Sequence, residues 1–184
     1  MGRPGGRPQR QPGIIMKKPH LLLAGLAAIL LAPTYGGHSM VRAADADSLD
    51  LEAHHGQVVY LDFWASWCVP CRTSFPWMNA MHLKYESDGL DIISVNVDND
   101  RKAADKFLQK YPAHFAVFFD PKGKLASSYD LKAMPSSFLY DRDGKLIRSY
   151  LGFHEKDEEQ LELDIKTLLK EAPKDSADAP ASPR

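Results

Sequence analysis

The sequence predicts an α/β protein, a mixed central sheet flanked by helices, and three observations carry that expectation. Strand-like and helix-like segments alternate as β-α-β-α-β over residues 57–119. Two short strand-like runs then flank "DRDG" at 141–144, a hairpin pattern. An amphipathic segment at 155–170 closes the set. The alternating part implies right-handed parallel crossovers, and the hairpin implies an antiparallel edge. A mixed sheet sandwiched by helices follows. At 184 residues the chain holds one domain with a substantial core.

Each element has its own signal. Residues 44–56 are a polar lead-in punctuated by Gly56. "VVYLDFW" at 58–64 is β-branched, aromatic and nearly continuous in apolar character, as suits a central strand covered on both faces. Pro70 opens a helix running to about Ser87, with Phe75, Met78, Met81, Leu83 and Tyr85 as its expected core residues and Pro76 as a kink. "LDIISVNVD" at 90–98 is a second buried strand. Asp100 caps a helix to about Tyr111, with Ala104, Phe107 and Leu108 inward. Phe115–Phe119 is a third strand, closed by the turn Asp120-Pro121-Lys122-Gly123. Leu125–Tyr129 reads as one helical turn, and 137–140 with 145–151 as the hairpin. The last helix places Leu161, Ile165, Leu168 and Leu169 on one side.

The first 43 residues read as an N-terminal extension and secretory signal. Met16-Lys17-Lys18 precedes the apolar run "LLLAGLAAILLA" at 21–32, a basic start and a core of signal-peptide length. The run is shorter than the ~20 apolar residues a membrane-spanning helix needs. Val41-Arg42-Ala43 and Ala44-Asp45-Ala46 both fit a small-x-small cleavage site. Met16 is an alternative start, and an uncleaved anchor is the alternative to a cleaved signal. Residues 44–171 are the expected domain. Residues 172–184, rich in Pro, Ala and Ser, are an expected disordered tail.

Charge agrees with export. Six of the 23 basic residues precede Ala44 and all 24 acidic residues follow it, so 17 against 24 leaves −7 on the part after the leader. An acidic domain of this kind has no basic footprint for nucleic acid.

Cys68 and Cys71 are the two cysteines of the chain. In an oxidising compartment cysteines usually pair for stability. A bridge across two residues closes a tiny loop, however, and by the chain-entropy account stabilises little. A structural zinc site needs four ligands, and neither a second Cys-x-x-Cys nor a close histidine pair accompanies this one. Copper(I) favours thiolates with methionine, but Met78 and Met81 stand at core spacing. Redox exchange fits the placement. Cys68 lies between the first strand and a Pro-started helix, where unpaired backbone N–H groups and the helix dipole favour a thiolate. Cys71, one turn further, reads as the more buried thiol that resolves a mixed disulfide after an exposed Cys68 has attacked.

"DFWASWCVPC" resembles the active-site segment of the thioredoxin fold, and other landmarks fall into register with it. Pro76, "VNVD" at 95–98, Met134-Pro135, "DRDGK" at 141–145 and Gly152 all match. The resemblance covers about 56–170. Within that superfamily the chain is most similar to exported TlpA/ResA-like thioredoxins, on the signal segment, the x-Pro inside the cysteine pair and "PSSFLYDRDGK". The resemblance implies a cis peptide at Met134–Pro135 whose backbone presents an extended substrate segment, with Trp67 shielding the disulfide and touching partners. A plain strand-start proline and ordinary packing are the residue-level alternatives. Asp62 matches the buried acid of cytoplasmic thioredoxins; its pKa is expected to be raised and its role is to help deprotonate Cys71. An Asp at a strand end facing solvent is the alternative. Ser74 stands where ResA-like reductases often carry Glu, and Ser136-Ser137 replaces the usual Thr-Thr.

The resulting expectation is an exported, periplasmic thiol–disulfide oxidoreductase reducing disulfides of envelope proteins, with cytochrome c or copper-site maturation as the implied context. No cofactor, no metal and a monomer are expected. The implied partners are disulfide-bonded client proteins and a membrane thiol transporter of the DsbD/CcdA kind as electron donor. A DsbA-like dithiol oxidase, a Cu(I)-binding assembly module and a peroxidase of the same fold are the rivals.

Overall fold

A computed structural model describes Gly2 and residues 44–172. The expected leader at 1–43 and the tail beyond 172 lie outside the described residues. The elements are β1 Ala44–Asp45, β2 Val58–Trp64, α1 Cys71–Tyr85, β3 Leu90–Asn96, α2 Arg101–Lys110, β4 Ala116–Phe119, α3 Lys124–Ser128, β5 Ser136–Tyr140, β6 Leu146–Leu151 and α4 Glu158–Lys170.

The strands form one six-stranded sheet in the order β1-β4-β3-β2-β5-β6. β2, β3, β4 and β1 pair in parallel, while β5 and β6 add an antiparallel edge. This is the mixed sheet that the element order predicts, and the one the resemblance to the thioredoxin fold implies. Every residue of β2 is buried, because β2 lies inside the sheet and is covered on both faces. Alternation then sorts its side chains. Val58, Tyr60 and Trp64 join the core with α1 and α4, and Val59, Leu61 and Phe63 join the core on the other face. Beneath the start of α1 the rings of Trp64, Phe75 and Phe107 sit with centroids 4.7–4.9 Å apart. Each such pair adds roughly 0.5–1.5 kcal/mol beyond its area burial.

Two details differ from the sequence reading. Ala44–Asp45, expected as polar lead-in, pairs with Phe118 and Phe119 as an edge strand, and Ala46 behind it is buried. A two-residue strand is too short to leave a periodic signal. Leu83, expected in the core, is 85% exposed, whereas Trp77 is 7% exposed. Helical spacing explains the exchange: Trp77, Met78, Met81 and Tyr85 fall on one stripe at i, i+1, i+4 and i+8, and Leu83 points away from it. Pro76 lies inside α1, where it lacks the N–H that would reach the carbonyl of Arg72.

The expected caps and turns are in place. Asp100 accepts from the Lys102 N–H at 3.0 Å and starts α2. Asp141 accepts from the N–H groups of Asp143 and Lys145 and closes the β5–β6 turn. The same turn delivers Arg142 to the end of the sheet opposite the cysteines. Its guanidinium donates to the carbonyls of Gly56, Asp88, Leu169 and Glu171 at 2.7–3.2 Å. Gly89 allows that approach, since a Cβ there would meet Arg142 Nη1 at 2.7 Å and its φ is +96°.

Candidate active site

The C-terminal ends of β2 and β3, the N-terminal end of β5 and the start of α1 meet at one end of the sheet. The chain leaves β2 at Trp64, turns through Ala65–Val69 and enters α1 after Pro70, whose φ of −63° already suits a helix. Cys68 and Cys71 are bonded to each other across that turn. The Cys71 N–H donates to Cys68 Sγ at 3.2 Å, so a backbone donor at the helix start is aimed at the first sulfur.

The loop is held from below. Ser66 donates to the Asp98 carboxylate twice, from its N–H at 2.8 Å and its hydroxyl at 3.0 Å. Asn96 Nδ2 adds a third donor to Asp98 at 2.8 Å, and the Asp98 N–H returns to Asn96 Oδ1 at 3.1 Å. Sequence reasoning used "VNVD" as a landmark and missed this role. Two polar side chains closing a buried strand were the available signal.

Cys71 is fully buried and Cys68 is 3% exposed. The expectation of an exposed Cys68 is thereby corrected. Sulfur–sulfur bonding and the Cys71 N–H occupy its reactive atom, and exposure at this end is carried by Trp67 and Val69, each 64% exposed. Ser74 is buried one turn below and donates to the Cys71 carbonyl at 3.3 Å.

Asp62 is fully buried, not solvent-facing at a strand end. Alternation along β2 sets it on the face of Tyr60 and Trp64, the side packed against α1. Ser137, its register partner on β5, donates to Asp62 Oδ1 at 2.6 Å, while Oδ2 has no protein partner. Burial pushes the Asp62 carboxyl up to about 7, and the Ser137 hydrogen bond opposes that rise only partly. The nearby Tyr60 hydroxyl is raised well above its usual range, first by burial and then by the Asp62 charge. Ser137 was noted in the sequence only as a replacement for Thr. Its place two residues after Pro135, opposite Asp62, is what makes it a partner.

Met134–Pro135 is a cis peptide. The pairing Phe63↔Ser136 sets Pro135 beside the end of β2, where the cysteine loop begins. Pro135 is buried and Met134 half-buried. The structure thus gathers Asp62, Trp67, Cys68, Cys71, Met134 and Pro135 at one end of the sheet. Met78 and Met81, weighed as copper ligands, are buried in the core at 0% and 6% exposure.

Comparison with known proteins agrees with this geometry. The Redoxin family matches residues 38–165. The thiol-disulfide oxidoreductase ResA of Bacillus thuringiensis subsp. konkukian is 34% identical over 129 residues, spanning 70% of this chain and 73% of that protein. ResA of Bacillus subtilis is 32% identical over 104 residues, 56% of this chain and 58% of that one. Among solved structures, a Chlorobium tepidum protein described as a thiol:disulfide interchange protein DsbE superposes with a TM-score of 0.64 at 50% identity, covering 66% of this chain and 86% of that one. StoA of Bacillus subtilis gives 0.52 at 28% identity, covering 59% and 82%. A helix-start cysteine pair on a thioredoxin fold and these relatives lead to one conclusion: the chain belongs to the Redoxin family, as a TlpA/ResA-like thiol–disulfide oxidoreductase.

Proposed function

We propose that the protein is exported to the periplasm and there reduces disulfides of client proteins of the envelope. In the reduced form, the Cys68 thiolate attacks one sulfur of a client disulfide and expels the other as a thiolate. The Cys71 thiol, deprotonated with the help of Asp62, then attacks Cys68 Sγ. The client leaves with both sulfurs reduced, and the Cys68–Cys71 bond holds the two electrons' worth of oxidation. Trp67, Met134 and Pro135 form the contact surface for the client chain. No third cysteine exists in the chain to reduce the pair again. Electrons therefore come from another protein, for which a membrane thiol transporter of the DsbD/CcdA kind is the proposed donor. Cytochrome c or copper-site maturation is the proposed context, and a monomer the working form.

The observation that carries this reading is the division between the two sulfurs. One receives a helix-start N–H, and the other is fully buried on the side of a carboxyl whose pKa lies near neutrality. Among the described residues no helix is long and apolar enough to cross a membrane. The export reading rests on the leader-like segment at 17–32.

Two measurements test it. A Cys71→Ser variant should accumulate mixed disulfides with envelope proteins through Cys68, and an empty trap counts against the exchange mechanism. The reduction potential against glutathione decides direction: a value near about −270 mV fits a reductase, and one near about −120 mV makes the protein an oxidant. Stoichiometric Cu(I) binding that needs Cys68, without insulin-reductase activity, would replace the enzyme reading with a metal-binding one.

A further inference from the structure

The surface charge reverses beside the redox centre. The part of the chain after the leader is acidic, yet an open groove of about 260 Å³ next to the cysteine loop is lined by Ser66, Arg72, Lys106, Lys110 and Tyr111. Ser66 stands two residues before Cys68, and Arg72 directly follows Cys71. Arg72, Lys106 and Lys110 are exposed, and none makes an ion pair among the described residues. The one acid of α2, Asp105, is engaged by Arg101 at 2.8 Å instead. Lys106 and Lys110 are i and i+4 on α2, where like charges repel, and Lys102 extends the row by one more turn. The opposite flank of α1 has the other sign. There Arg72 borders a groove with Glu158, Glu159 and Glu162 along α4.

A row of unneutralised cations on an acidic protein, placed within reach of a chain bonded to Cys68, is complementary to an anionic stretch of polypeptide. We propose that the α2-side groove takes acidic side chains flanking the client's target disulfide, so that the protein selects disulfides with Asp or Glu on one side. The inference rests on the reading that Cys68 of the reduced protein attacks client disulfides. Docking raises the encounter rate and leaves the exchange chemistry unchanged.

The test uses the full reduced protein and three disulfide-bridged fluorogenic peptides of one sequence, flanked by Asp/Glu, by neutral residues or by Lys/Arg. In a single turnover with peptide in excess, the acidic peptide is expected to be reduced with a second-order rate constant roughly tenfold above the basic one at low salt, the gap closing as ionic strength rises. The double variant Lys106→Glu/Lys110→Glu is expected to invert that order, while its rate on neutral 2-hydroxyethyl disulfide stays within twofold of the parent. Equal rates on the three peptides overturn the charge preference and leave the exchange reading standing. A preference that survives the double reversal overturns its assignment to this groove. Failure to reduce 2-hydroxyethyl disulfide at all overturns the exchange reading and this inference with it.

Discussion

The two ends of the central sheet satisfy their polar groups in opposite ways. At the end away from the cysteines, one guanidinium, Arg142, reaches four backbone carbonyls from three parts of the chain. At the cysteine end, a fully buried carboxyl keeps one oxygen without a protein partner, and the indole N–H of the buried Trp64 is unpaired as well. Unmet polar groups in a core cost stability. One further buried atom, His82 Nδ1 on the last turn of α1, is also without a partner, so the contrast lies in the carboxyl: the redox end leaves an ionisable oxygen unmet, while the far end gathers its carbonyls on a cation. The difference teaches that stability and chemistry are assigned to different ends of the same strands.

Substitutions at the two ends should separate these roles. The largest effect belongs to Cys68→Ser, which should bring disulfide turnover to background in an insulin-reduction assay while leaving the far end untouched. Next comes Asp62→Asn, which keeps side-chain size and the bond from Ser137. Resolution of a mixed disulfide should slow by about 10²-fold, as expected for loss of a positioned base, and its rise with pH near 7 should vanish in stopped-flow measurements.

The same carboxyl sets a stability slope. Its folded pKa of about 7 lies above the value of about 3.9 for an unfolded Asp. The folded state therefore binds the proton more tightly, and the contribution of this group to stability is largest below about pH 4. Stability falls as pH rises and bears the whole penalty above about pH 7. Three pKa units correspond to about 4 kcal/mol as an upper figure. Denaturant unfolding of the disulfide form at pH 5 and pH 8 spans about two of those three units, so the parent should lose at most about 2.7 kcal/mol between them and Asp62→Asn should show a flatter profile. A variant that unfolds with the parent's pH slope would remove Asp62 from the argument.

Arg142→Ala should act in the other direction, lowering stability by roughly 2–3 kcal/mol through carbonyls left without a donor. Its rate on a small disulfide should stay within twofold of the parent; a larger drop would break the division between the ends. The smallest expected change is Ser66→Ala. It removes the hydroxyl donor to Asp98 and keeps the backbone one, so about 1 kcal/mol or less is at stake.

The fold was largely legible because its strands are buried on both faces and its helices carry clear stripes or caps. "VVYLDFW" and Asp100 need no tertiary context to be read. The cysteine pair was equally legible, since spacing, preceding strand and following proline lie within one short segment. What stayed hidden depends on contacts across the chain. Asp98 holds Ser66 from 32 residues away, Ser137 meets Asp62 from 75 residues away, and Arg142 binds carbonyls up to 86 residues distant. Leu83 failed for a local reason, because apolar character was read without the helical angle. Cys68 failed for a chemical one: bonding to Cys71 buries a residue that its loop position suggests is open.

Were the proposed leader cleaved, β1 would bear on which form results. Within the export reading, the leader peptidase chooses between two adjacent sites, and the sheet distinguishes them. A cut after Ala43 frees a chain whose first two residues complete the edge beside β4. A cut after Ala46 discards both of them together with the buried alanine behind. Maturation would then decide whether the secreted protein carries six strands or five, with Phe118 and Phe119 on the exposed border in the shorter form.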